Sequence, residues 1–210
     1  MYGIQNFELF CLWAIVLSIT PGPDTFYILG RTISQGTNSG IASVLGISTG
    51  VLIHTIAAAV GLSSILATSA SLFKIIKLIG AAYLIYLGIT LILASKNTNA
   101  LDKNHLSSRS LRKIYRQGVI TNVLNPKVAL FFLSFLPQFI DPGHGNVTSF
   151  IFLGITYVFI CTIWYVIVAV FSSAIAKTFQ KNTLWVSSMN KISGGIFIVL
   201  GLNLAFSKTD

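Results

Sequence analysis

Charge is what this chain lacks. Only 9% of its 210 residues are Asp, Glu, Lys or Arg, and just 5 are acidic, whereas ordinary globular chains carry about 25% charged residues. So little charge cannot cover the surface of a water-soluble domain. Hydrophobic residues make up 54% of the chain, with a mean hydropathy of +0.80. The composition is that of an integral membrane protein. Cysteine is equally sparse. Cys11 and Cys161 sit in separate apolar runs with no CxxC or Cys/His spacing, which argues against a disulfide framework and a structural metal. His54, His105 and His144 are scattered, unlike the HExxH cluster of a zinc protease. An intramembrane aspartyl protease needs two carboxylates that share a proton. Asp24 has no evident mate, and Glu8 lies at the edge of an apolar run. No GxxxxGK[ST] loop is present, so nucleotide-driven work is not expected. These absences leave no enzyme and no cofactor in view.

What is present is apolar length. Six stretches, 9–29, 44–66, 75–94, 119–140, 150–171 and 184–206, reach the length of about 20 residues that a helix needs to cross the hydrocarbon core. The N-terminal MYGIQNFELF carries no basic leader and no small-residue cleavage pattern follows it, so the first stretch reads as an uncleaved span. Lys191 lies inside the sixth, near enough to its end to snorkel, with Trp185 suited to an interfacial belt. The net charge of +9 would suggest nucleic acid in a soluble protein. Here it concentrates in KNTNALDKNHLSSRSLRKIYRQ, residues 96–117, where six Lys and Arg face the single acid Asp102. That is a cytoplasmic loop under the positive-inside rule, and nucleic acid is not an expected partner. With it inside, Arg31 and the Lys177/Lys181 loop also fall inside, and the Lys-free, Arg-free loop at 141–146 falls outside. Lys74 and Lys77 are exceptions on the outer side, and both termini are predicted outside.

The two halves resemble each other. LGIS opens span two at Leu45 and LGIT opens span five at Leu153. KLIGAAYLIYLGI from Lys77 matches KISGGIFIVLGL from Lys191 after a one-residue gap, and Pro21 in span one has a counterpart in Pro126 of span four. A repeat of three spans is odd, so its second copy must insert upside down, an arrangement common among secondary transporters. The predicted fold is an all-α membrane protein of six transmembrane helices, built as two inverted three-helix repeats with helices 1 and 4 broken. The single membrane domain, 1–210, divides into repeat one at 7–95, the basic cytoplasmic loop at 96–117, and repeat two at 118–208.

The breaks carry the chemistry. Pro21, Gly22 and Pro23 interrupt span one, and Asn125-Pro126 interrupts span four. Without an amide proton, Pro21 cannot serve the carbonyl of Leu17, Pro23 that of Ile19, or Pro126 that of Asn122. Orphan carbonyls survive at membrane depth only against protein or a wet cavity, and paired breaks in corresponding spans mark a transporter's binding site. Each break is followed by an ionisable residue, Asp24 and Lys127. Facing lipid, each would cost about 2.5–3.5 kcal/mol. Asp24 suits the positive end of the helix after the break, whereas Lys127 opposes it and needs an anionic partner. A structural Asp24–Lys127 ion pair and contact with a ligand or proton both remain open, and one pair that opens during a cycle does both. The Thr20 hydroxyl, Asp24 and freed carbonyls suit an ammonium, while Lys127, Asn122 and Asn125 suit a carboxylate. Together they match a zwitterion such as an amino acid. In span two, Gly46, Gly50 and His54 recur every fourth residue, continued by Ala57 and Gly61, as a smooth packing stripe with a titratable group at its deep end. Tyr83 and Tyr157 are further candidates to line a cavity.

The set TPGPD, LGISTG leading to His54, GAAYLIYLG, NVLNPK and FLPQFI resembles the LysE/RhtB family of amino-acid export translocators, in particular its homoserine/threonine-type branch. The resemblance spans nearly the whole chain. It implies export of amino acids or close derivatives from the bacterial cytoplasm across the inner membrane, driven by proton antiport, and it places the functional region on Pro21, Gly22, Pro23, Asp24, Asn125, Pro126 and Lys127. The alternative is an efflux carrier for a metal cation or a non-amino-acid metabolite. A metal carrier wants several His, Cys or carboxylate ligands, and only Asp24 and His54 are available. The expected partners are thus a small amino acid, protons and the lipid bilayer, with a homo-oligomer left open.

Overall fold

A computed structural model of the chain describes residues 3–68, 70–94, 108–141, 147–172 and 183–206. The described residues are helical almost throughout, with one isolated antiparallel bridge, Ile4 to Ile140. The helices are α1 (Phe7–Ile19), α2 (Pro23–Gln35), α3 (Thr37–Thr68), α4 (Ala70–Ala94), α5 (Leu111–Val123), α6 (Pro126–Leu130), α7 (Val147–Val170) and α8 (Thr183–Phe206). Beyond Leu130, α6 loosens into a π turn, Phe131–Phe135, and tightens into a 3₁₀ turn, Leu136–Phe139.

By length and composition, α3 and α7 each cross a membrane alone among the described residues, and two bent pairs do so if each counts as one span. The first pair, α1 and α2, is bent by 49°, and the second, α5 with 126–139, by 47°. The predicted breaks in helices 1 and 4 are therefore present. Proline sets both of them. Residues that precede proline avoid helical backbone, and Thr20, Gly22 and Asn125 all adopt extended conformations. Pro23 and Pro126 then open the next helices, where a missing amide proton costs nothing.

Helix boundaries depart from the predicted spans most clearly in α5. Its first turns, from Leu111, fall in what the sequence suggests is loop. Ile114, Gly118 and Asn122 are buried at four-residue spacing while Arg112, Lys113 and Arg116 are exposed. The basic side chains thus occupy the outer face of an amphipathic helix. The other part of the basic stretch, 96–107, lies outside the described residues, as do His105, His144, Lys177 and Lys181. Between α2 and α3 the chain turns on Gly36 at φ 84, a left-handed conformation that glycine adopts without a Cβ penalty.

Packing follows small residues. The stripe on α3 lies against α5: a Cβ on Gly46 would collide with the carbonyl of Tyr115, and one on Gly50 would come within 2.7 Å of the Asn122 side chain. The predicted continuation fails past His54, because Ala57 is exposed and Gly61 faces open space. The reason is that α5 stops at Val123. Gly88 on α4 and Gly194 on α8 meet backbone to backbone, each with its Cβ position 2.5 Å from the other's carbonyl, and Gly201 abuts the Ala81 carbonyl. On the far side of the breaks, Phe10, Phe131, Phe132 and Tyr157 form an aromatic cluster, with Phe131 and Tyr157 centroids 4.6 Å apart.

Candidate functional site

The two breaks are stitched to each other crosswise. Lys127, in the first turn after the second break, reaches back across the first. Its Nζ donates to the carbonyls of Leu17 at 3.0 Å and Thr20 at 2.9 Å, at the end of α1. Leu17 is the residue whose carbonyl Pro21 orphans. Lysine supplies the missing donor, and its charge sits against the negative end of the α1 dipole. Hydrogen bonds to a charged group contribute about 1.5–3 kcal/mol each, so this contact restrains the first break. Asp24, in the first turn after the first break, reaches the second. Its Oδ2 accepts from Asn122 Nδ2 and Asn125 Nδ2, both at 2.9 Å, and from the Tyr165 hydroxyl of α7 at 3.4 Å.

Asp24 and Lys127 therefore do not bond each other; each neutralises the polar backbone or amides of the opposite break. Both are buried, Asp24 at 1% and Lys127 at 6% exposure. Of the other carbonyls that proline orphans, that of Asn122 is served by His54 Nε2 at 3.2 Å and by the Asn125 amide at 2.9 Å. The Asn125 side chain in turn accepts from the Lys127 amide at 3.1 Å and so caps α6. Thr20 turns its hydroxyl to the Val16 carbonyl of its own helix at 2.8 Å. That leaves Thr20 contributing a backbone carbonyl instead of the predicted hydroxyl.

Several polar groups are not consumed by this network. A lysine ammonium has three N–H groups, and two are engaged. Lys127 also lines a cavity of about 240 Å³, together with Pro21, Gly22, Pro23, Asn125 and Pro126 of the breaks and Leu87, Thr90, Leu91 and Phe197 of α4 and α8. Gly22 keeps it open, because a Cβ there would stand 3.3 Å from Nζ. Among the described residues, Lys127 is the only charged side chain in that lining. Asp24 is not part of it; its Oδ1 is buried without a protein partner, as are Asn122 Oδ1 and Thr25 Oγ1. Tyr83 packs tilted against Tyr86 at 5.8 Å and Tyr157 packs among the core aromatics, and neither lines this cavity.

Sequence alone misses two members of this architecture. Tyr165, fully buried, closes on Asp24 from α7, and the four-residue spacing Tyr157, Cys161, Tyr165 on one buried face is the signal that could have found it. Arg31, predicted as a loop residue, is buried at 1% exposure at the far end of α2. It donates to Gln35 at 3.0 Å and to Gln117 of α5 at 3.1 Å, and Arg109 joins on Gln117 at 2.6 Å. Tyr27, beneath the Arg31 guanidinium, donates to the Ile114 carbonyl at 2.7 Å. This layer holds α2 against α5 on the basic end of the molecule.

Comparison with known proteins supplies the family. The model of the LysE type translocator matches residues 15–208. The chain belongs to the LysE type translocator family. Its relatives include the uncharacterized membrane protein YrhP of Bacillus subtilis (strain 168), 34% identical over 203 residues, covering 92% of this chain and 95% of that one. An uncharacterized membrane protein of Vibrio cholerae is 31% identical over 199 residues, covering 95% and 96%. The homoserine/homoserine lactone efflux protein of Salmonella typhimurium is 30% identical over 206 residues, covering 95% of each chain. No solved structure matches significantly. This LysE family member is thus a multi-pass membrane protein of the translocator class, with relatives that export.

Proposed function

We propose that this protein exports a small amino acid of the homoserine type, or a close derivative, from the cytoplasm across the bacterial inner membrane in exchange for protons. The observation that carries this reading is Lys127: two of its N–H groups secure the first break, and its side chain lines the cavity with one donor to spare. That donor takes the carboxylate or carbonyl of the solute. The carbonyls of the Pro21–Pro23 segment accept from its ammonium, and Leu87, Leu91 and Phe197 surround its short aliphatic body. A sole cationic group in the lining works against a metal cation as cargo, since the nearest charge repels it.

Asp24 carries the proton. One carboxylate oxygen receives three donors while the other, like Asn122 Oδ1, has none. A proton on Oδ1 would turn that buried, unpartnered acceptor into a donor. Because Asn125 bonds Asp24 and also adjoins Lys127 at the cavity wall, loading one site is transmitted to the other through the second break. The membrane potential contributes about 2.3 kcal/mol per charge per 100 mV, enough for one proton entering per zwitterion leaving to clear a metabolite excess.

Six spans in two inverted repeats fit this scheme, with α4 and α8 as the third span of each half. The Gly88–Gly194 and Gly201–Ala81 contacts support that pairing, since glycines 88 and 201 are equivalent in the repeat. The Arg31, Arg109 and α5 charges then face the cytoplasm, and both termini lie outside.

The test is an amino-acid profile of the medium from cells that lack their own exporters and are loaded with mixed dipeptides. Homoserine or a near relative should appear faster when this protein is expressed, and Lys127→Met should abolish the gain. An unchanged profile with the protein confirmed in the membrane contradicts the assignment.

A further inference from the structure

Next to the cavity at Lys127 lies a second, far smaller void of about 10 Å³, enclosed by Trp13, Leu17, Leu84, Phe135 and Leu200 among others. The two differ in position along the molecule. The cavity is bounded by the break itself and by Leu87 and Leu91 of α4; the void is bounded by the turns of α1 before the break and by Leu84. Along α6 and the π turn that follows it the order is the same: Pro126 and Lys127 face the cavity, and Phe131 and Phe135 face the void. The pair therefore runs in file along the axis of the spans. Among the described residues, Phe197 of α8 is the one side chain that borders both. It is 1% exposed, and its helix is held to α4 one turn away on either side by Gly194 against Gly88 and Gly201 against Ala81.

We infer that Phe197 is the gate of the translocation path: its ring separates the solute-binding cavity from the exit and sets the size of solute that passes. The inference rests on the cavity's being the transport site, as proposed above. A phenyl ring on a helix moves between staggered side-chain conformations. One of these keeps the cavity closed toward the void. Another, or a small slide of α8 on its glycine contacts, joins the two spaces. The void's described walls are leucine, valine and aromatic side chains without charge, so a solute leaving Lys127 meets no charged group there that would retain it.

The experiment reads access to the cavity directly and needs no knowledge of the cargo. Thr90 lines the cavity only, so Thr90→Cys is introduced into the full chain with Cys11→Ser and Cys161→Ala. A membrane-impermeant maleimide is applied to intact cells and, separately, to inside-out vesicles. With Phe197 present, labelling is expected from one face alone. With Phe197→Ala it should appear from both, while Phe197→Trp should keep it one-sided and show that the site remains folded. Labelling that stays one-sided in Phe197→Ala, or that is two-sided with Phe197 intact, overturns the gate. Two-sided labelling in Phe197→Ala, together with an unchanged amino-acid profile of the medium when the unmutated protein is expressed, keeps the gate and overturns the assigned cargo instead.

Discussion

Lys127 shows how one residue meets two demands. A methionine in its place fills similar volume but leaves the Leu17 and Thr20 carbonyls without their donor, and each unsatisfied buried group costs about 1–3 kcal/mol. Lys127→Met is therefore expected to lower the melting temperature of the purified protein as well as to abolish export. Lys127→Arg should not rescue export, because the guanidinium is bulkier and Gly22 already leaves little space beside Nζ. Asp24→Asn separates charge from geometry. The amide oxygen can accept from Asn122 and Asn125 as Oδ2 does, and the amide nitrogen brings a donor to the side where Oδ1 has none. The melting temperature should hold or rise. Net export against a gradient should fall by an order of magnitude or more, about what a neutral carrier site implies, while exchange of internal for external solute continues. Equal loss of exchange and net export would remove Asp24 from proton coupling. At this scale the sequence was informative about Asp24 and Lys127, because ionisable residues beside prolines stand out in apolar runs. It was uninformative about their partners, since bonds spanning 98 to 110 positions leave no local pattern.

At the scale of the element, the breaks were legible and the helix limits were not. Proline has one physical meaning inside a helix, so both interruptions followed from composition. The start of α5 did not, because a helix whose outer face is basic has the composition of a loop. Pro126→Ala restores an amide that can bond the Asn122 carbonyl, in competition with His54 and the Asn125 amide. The variant should be at least as stable to heat as the parent yet export poorly, since a continuous helix carries Lys127 away from α1. Gly50→Val should act through packing alone. Its side chain collides with Asn122, whose amide holds Asp24. Overpacking of this kind costs about 1–3 kcal/mol, and both the melting temperature and the export rate should fall. Gly61→Val, which faces open space, should change neither.

For the whole molecule, the organisation reduces to a few contacts that tie one half of the chain to the other. Each break is completed by a side chain from its counterpart, the α3 stripe grips the half-helix that leads into the second break, and the α4–α8 pair closes the cavity. The sequence exposed the likeness of the halves through Gly88 and Gly201 and through Pro21 and Pro126. It did not expose that, among the described residues, the cavity takes its charge from Lys127, with Asp24 held by Asn122, Asn125 and Tyr165 outside the lining. Under the proposed function, that separation would let a solute site and a proton site be coupled without sharing a ligand.

The most direct measurement is solute counterflow with the purified protein in liposomes. The vesicles are loaded with L-homoserine, and entry of radiolabelled homoserine is compared with that of its decarboxylated amine, which keeps the ammonium and loses the group assigned to Lys127. Rapid exchange of homoserine, none of the amine, and loss of homoserine exchange in Lys127→Met is the expected result. Exchange of the amine at a comparable rate, or undiminished homoserine exchange in Lys127→Met, would contradict recognition of the carboxylate at the crossing of the two breaks.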